Sequence, residues 1–207
     1  MKKITVIPKH SNPFGLLAAL SVLGSLLVTG SVLGQSCPAY PIALSSQSLV
    51  NVAPGTVLEN IWNGAGPGNF GWLSWTGNPS EPTLVGSLTQ PGDSYTYVNP
   101  NNPNDHMLIA GDWVSGKPGV SNSKDVRNAL DQLIGIPITV PIWDQAQGSG
   151  QNGAYHISGF AIIEIVSYQL PSQNQISAVF EGYTSCGGVT SINPKPSLTT
   201  KTAPAKS

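Results

Sequence analysis

Past residue 38 the chain runs as short apolar stretches broken every few residues by Gly, Pro, Asn and Ser. Such punctuation predicts many short strands joined by turns. Residues 40–52 alternate loosely and form a first strand candidate. In the glycine-bounded stretch 66–77, Phe70, Trp72 and Ser74 share one strand face, and Gly71, Leu73 and Trp75 share the other. Residues 99–105 (NPNNPND) read as a turn-rich connection. Along residues 136–144, Ile136, Ile138, Val140 and Ile142 point one way, and Pro137, Thr139, Pro141 and Trp143 the other. Two prolines cannot donate to a ladder, so this is an edge strand or a partly paired one. A flexible loop is expected over 145–153, then a long strand over 155–170 with a bend or bulge at Gly159. Residues 171–174 turn the chain, and 175–186 return as the partner strand of a hairpin.

One segment breaks the period-2 pattern. Val126, Leu130, Leu133 and Ile134 recur at helical spacing. Asn122 or Ser123 can cap the first turn, and Asp125 there suits the helix dipole. Gly135 and Pro137 then stop the helix. The expected fold is mainly β, a single antiparallel or mixed sandwich or barrel-like domain, with one short α-helix at about residues 122–134.

The ends of the chain add a compartment. Lys2, Lys3 and Lys9 precede an uncharged run over residues 14–34. This is the pattern of a secretory signal peptide, with Val32-Leu33-Gly34 offering a small-residue cleavage site before Gln35. The run also reaches the ~20 residues of a membrane span, so an uncleaved anchor is the alternative. Cys37 and Cys186 are the only cysteines. In an exported protein a lone pair usually bonds. Closing a loop of about 150 residues would stabilise by ~5 kcal/mol in the chain-entropy account. Three segments follow: 1–34 as signal or anchor, 35–186 as one domain, and 187–207 as a polar tail too poor in apolar residues to order itself.

Charge excludes some functions. Between the cysteines stand only Lys117, Lys124 and Arg127 against all ten acidic residues, a formal balance of −7. Nucleic acid and anionic membrane both require a basic surface. Neither is an expected partner, and the membrane is contacted only through the N-terminal segment if it stays uncleaved.

Candidate chemistry is sparse. No Gly-x-Ser-x-Gly elbow is present, and bonded cysteines leave no thiolate. Past the signal only His106 and His156 remain as bases, and His156 at a strand start reads as structural. Spacing for a zinc site is missing. Asn101, Asn104 and Asp105 offer oxygen ligands for calcium, with Asp93 or Asp112 nearby in sequence terms, yet the same residues are ordinary turn formers. Glu164 sits mid-strand among isoleucines, where a raised pKa would suit a glycosidase acid and a solvent-facing carboxylate is the commoner use. Trp72, Trp75, Trp113 and Trp143 with Asp112 and Asp144 form the candidate ligand set, since sugar clefts place rings beside acids. Core packing is the competing use of those rings. No cofactor and no catalytic residue is predicted.

Several motifs then align. Gly68-Asn69-Phe70-Gly71-Trp72-Leu73 comes first, followed by Pro118-Gly119-Val120 and the capped helix. Val140-Pro141-Ile142-Trp143-Asp144 and Gly159-Phe160-Ala161 complete the series. In this order they resemble the C-terminal region of TadG-like proteins of the tight-adherence (Flp) pilus system. The resemblance covers residues 66–182, and it is carried by the order of the motifs. It implies an envelope-anchored or exported accessory of pilus assembly, with other envelope or pilus proteins as partners. It supplies no catalytic residues. The long upstream region of such proteins, often with a von Willebrand-like domain, does not occur in this sequence. The expectation is therefore a secreted or cell-envelope module, non-enzymatic, acting in adhesion or assembly. The rival expectation is a secreted carbohydrate-binding or carbohydrate-active protein.

Overall fold

A computed structural model describes residues 38–66, 68–170 and 173–185. Cys37, Cys186, the signal segment 1–34 and the tail 187–207 lie outside the described residues. The strands are β1 (Ile42–Ser45), β2 (Thr56–Trp62), β3 (Phe70–Ser74), β4 (Trp113–Gly116), β5 (Pro137–Gln147), β6 (Ala154–Gln169) and β7 (Gln175–Thr184). Two helices, α1 (Glu81–Leu88) and α2 (Lys124–Asp131), follow β3 and β4. The expected mainly β architecture is present, and it is barrel-like. Strands β6, β4, β3, β1 and β5 pair in turn, and β5 pairs back onto β6 to close a five-stranded ring. Only β1–β5 is parallel within it. Beyond the ring, β7 pairs with β6, and β2 pairs with β7 to end the sheet.

Strand β6 makes this possible by changing partners. Its first residues, Ala154 to His156, pair with β4, and from Phe160 onward that side pairs with β7. Between the two, the register against β5 jumps from Gly159↔Ile142 to Ile157↔Trp143, so Ser158 is left over. An extra residue reverses which side chains face which way. Tyr155, Ile157 and Phe160 therefore enter one core, and Ala161, Ile163 and Ile165 enter another. The bend expected at Gly159 is a bulge one residue earlier.

The first core fills the ring, with Ala43, Leu73, Val114, Trp143 and Tyr155 each supplied by a different ring strand. Tyr155 lies against two glycines of neighbouring strands. A Cβ on Gly71 would stand 2.4 Å from the Tyr155 ring, and one on Gly116 would stand 2.9 Å from it. The second core lies outside the ring. Ile42 and Leu44, Phe70 and Trp72, and Ile138, Val140 and Ile142 meet Ile176, Ala178 and Phe180 of β7 there. Leu84 and Leu88 of α1, Val126 and Leu130 of α2, and Leu133 just past α2 cover it.

Helix α2 forms as its sequence suggests. Ser123 accepts the Val126 N–H at 3.2 Å, and Asp125 occupies the first turn. Its Asp131 carboxylate accepts the Tyr168 hydroxyl at 2.6 Å, tying α2 to β6. Burial, followed by that hydrogen bond and the Asp131 charge, pushes the Tyr168 phenol up to about 12, with Arg127 acting the other way. Helix α1 is a second helix where the sequence pattern predicts only one. Ser80 caps it through the Thr83 N–H at 3.3 Å and a proline opens it, but Gly86 interrupts it and only Leu84 and Leu88 recur at helical spacing. Strands β2 and β4 also escaped the reading, and β1 stops at Ser45 in a short 3-10 turn over Ser46–Leu49. Strand β5 runs on to Gln147, so the expected loop shrinks to residues 148–153. Its prolines fit because β1 pairs with it only at Ile142 and Trp143.

Replacing Gly71 by alanine should cost ~1–3 kcal/mol, since the new methyl group must displace a packed ring. Gly159→Ala should stay within about 0.5 kcal/mol, because nothing lies within 4 Å of its Cβ position. Urea unfolding of the two variants checks both, and equal losses would contradict the packing described.

Candidate functional site

Alternation on the ring strands turns three chemical side chains outward in a row. Val114, Tyr155 and Trp143 face the ring interior, so their neighbours Trp113, His156 and Asp144 face out. Trp113 and His156 are cross-strand partners, with ring centroids 5.4 Å apart. His156 Nδ1 meets Asp144 Oδ1 at 2.6 Å. With Asp144 accepting from Nδ1–H, Nε2 is the remaining ring nitrogen. A carboxylate-held imidazole is two-thirds of a catalytic triad. No hydroxyl or thiol of the described residues completes it, for Asp144 is the one hydrogen-bond partner of the His156 imidazole among them.

Beside this row lies a tight polar network. Asp112 accepts the Ile109 N–H at 2.7 Å and the Asn99 amide at 3.3 Å. The same Asn99 amide donates to Asp105 at 3.0 Å. Burial raises the Asp112 carboxyl above the usual aspartate range. The Ile109 N–H opposes that shift, the Asp105 charge adds to it and His156 lowers it. The Tyr97 hydroxyl donates to the Trp113 carbonyl at 2.9 Å, and burial with the Asp112 and Asp105 charges drives its phenol well up.

Of the proposed calcium ligands, Asp105 engages its carboxylate in the turn, whereas Asn101 and Asn104 enter it through their main-chain N–H groups. Asp105 accepts the Met107 N–H at 3.1 Å besides the Asn99 amide. The Asn101 N–H donates to Asn99 and the Asn104 N–H to Asn102, in Asx turns. No group of three or more His, Cys, Asp or Glu among the described residues is placed to hold a metal.

The proposed ring platform is dismantled by burial. Trp72 and Trp75 are fully buried and Trp143 is 4% exposed. Trp72 packs edge-on against Phe70, and Trp143 against Tyr155. A ring inside a core cannot stack on a sugar. Of the candidate set, Trp113, Asp112 and Asp144 reach the surface region, and they gather around His156. Glu164 lies on the sheet face opposite Ile163 and Ile165, half-buried.

Two further places carry no sequence signal. One is the outer edge of β2, which pairs with no other named strand. A groove of about 420 Å³ follows it, lined by Ser48, Val52, Gly68 and residues 56–62, with Val57 and Trp62 about half exposed. The other is the mouth of the ring, where Ala65, residues 116–119 and the β5–β6 hairpin enclose about 290 Å³. No helix among the described residues is long and apolar enough to cross a membrane. Comparison with known proteins finds no matching family model, no matching curated protein and no matching solved structure.

Two outcomes follow. Asp112 holds its proton more tightly in the folded chain than in the unfolded one. Its contribution to stability is thus fully present below ~4, the unfolded aspartate value, and is lost as pH rises through the higher folded pKa. Unfolding curves of Asp112→Asn across acidic pH should lack this falling component, and a wild-type slope in the variant would refute it. Iodide should quench only the fluorescence of Trp62 and Trp113, and Trp62→Phe should remove most of the quenchable signal.

Proposed function

We propose that the chain is an exported, non-enzymatic module of the cell envelope or surface, acting in adhesion or pilus assembly. The ordered motif series supports this reading, and the free edge of β2 carries it. The ring is filled by its own side chains, and the polar groups on its face bond one another. At β2 a row of main-chain groups stands without a neighbouring strand among the described residues. Such an edge accepts an extended segment of another chain, with side-chain pockets beside it setting the choice.

The edge suits a basic, extended segment of another envelope or pilus protein. Glu59 sits at its centre in a domain of formal charge −7, so lysine or arginine on the incoming strand gains attraction. Self-pairing is disfavoured. Two copies joined antiparallel through the middle of β2 would set Glu59 against Glu59, and the bulge at Asn60, with φ of 51°, breaks the ladder there. The carbohydrate reading loses its support with the burial of Trp72, Trp75 and Trp143.

Deleting the gene should reduce surface attachment or pilus display. Complementation with Trp62→Ala or Val57→Lys should fail to restore it, while the purified variants keep wild-type thermal stability. Full restoration by both variants, or unchanged attachment on deletion, would overturn the proposal.

A further inference from the structure

The sequence beyond β7 carries a strand pattern of its own. Residues 192–198 read Ile-Asn-Pro-Lys-Pro-Ser-Leu. Ile192, Pro194, Pro196 and Leu198 alternate with Asn193, Lys195 and Ser197, the period of a strand with one apolar face. The two prolines stand two residues apart, so both remove a main-chain donor from the same side of an extended segment. The other side keeps the N–H groups of Asn193, Lys195 and Ser197. Proline sits in a sheet where its N–H side meets solvent, which is the place of an outermost strand. Seven such residues bury too little to order themselves, but an open sheet edge supplies the main-chain partners they lack.

Charge and reach both suit the edge of β2. Residues 187–207 hold Lys195, Lys201 and Lys206 and no acidic residue. Glu59 of β2 and Glu181 of β7 are exposed, and neither has an ion-pair partner among the described residues. Thr184, where β7 ends, lies four residues past Phe180, the partner of Thr56. The way back to the outer side of Thr56 is about 13 Å along the strands and about 10 Å, two strand spacings, across them. That is roughly 16 Å in a straight line, and the eight residues 185–192 extend to roughly 26 Å. A segment returning this way runs against β7 and parallel to β2, and its seven residues equal the length of β2. Leu58 is buried and Glu59 exposed on β2. With Ile192 and Leu198 turned to the groove beside Ser48, Val52 and Gly68, Lys195 falls on the side of Glu59.

We infer that residues 192–198 add to β2 as its outermost strand and hold the edge within the same chain until a partner displaces them. The inference rests on the reading of β2 as a strand-accepting edge, and it names what regulates that edge. A short tether keeps the segment at an effective concentration on the order of millimolar, so a weak pairing suffices. An incoming strand must compete with it. An edge covered in this way does not join chains indiscriminately.

Amide hydrogen exchange of the exported protein, residues 187–207 included, tests it, with the parity of proline as the probe. Ser197→Pro removes an N–H on the β2 side and should speed exchange over residues 56–62 about tenfold. Leu198→Pro removes one on the solvent side and should leave that exchange within about twofold. Lys195→Glu, which sets like charge against Glu59, should act in the direction of Ser197→Pro. A synthetic peptide of residues 190–201, added to the Ser197→Pro protein at millimolar concentration, should restore the slow exchange. All three substitutions lie beyond β7, and unchanged exchange along β6 shows that the fold is intact in each. Equal exchange over 56–62 in the wild type and every variant, or equal effects of Ser197→Pro and Leu198→Pro, would overturn the inference. So would protection that is lost on dilution, which places the segment of a second copy on the edge. The partner reading fails separately: it falls if Val57→Lys restores attachment in full, whatever the exchange of the edge.

Discussion

The ring closes on one aromatic side chain. Tyr155 lies across Gly71 of β3 and Gly116 of β4, and a Cβ on either glycine would collide with it. Five strands enclose little space, and interior side chains must fill it without excess. Large residues at Trp143, Tyr155 and Phe160 are therefore matched by small ones at Gly71, Ala43 and Gly116. Ser158 completes the arrangement. Its bulge lets one strand line the ring with Tyr155 and Ile157, then serve the outer core with Ala161, Ile163 and Ile165.

The surface features are consequences of that closure. Turning Tyr155 and Trp143 inward obliges His156 and Asp144 to meet outside, where Trp113 joins them. Where β6 exchanges β4 for β7, the sheet leaves the ring and continues to β2, the last strand of the sheet among the described residues. The strand ends at the mouth bring three loops together, and the small residues that fit there leave a cavity between them. Edge, row and mouth are thus three products of one topology rather than separate inventions.

How much was legible varies with the range of the interaction responsible. The β6–β7 hairpin and helix α2 were readable because their signals are local: alternation around a turn, and a capped apolar stripe. The two faces of β3 were assigned correctly, yet the strand is buried on both sides, which alternation alone does not reveal. That is why Trp72 and Trp75 read as binding candidates and prove to be core. Helix α1 was missed because its apolar positions are few and Gly86 interrupts it. Parallel pairing of Leu44 with Ile142 has no local signature at all.

From the sequence alone followed the mainly β class, the capped helix, the turn chemistry of residues 99–105 and the acidic balance of the domain. Each depends on neighbours along the chain or on a simple sum. Tertiary structure alone decided that five strands form a ring, and that three tryptophans vanish into two cores. A strand's period tells which side chains share a face. What covers that face depends on segments distant along the chain, whose meeting is set by volume, register and the Ser158 bulge in β6.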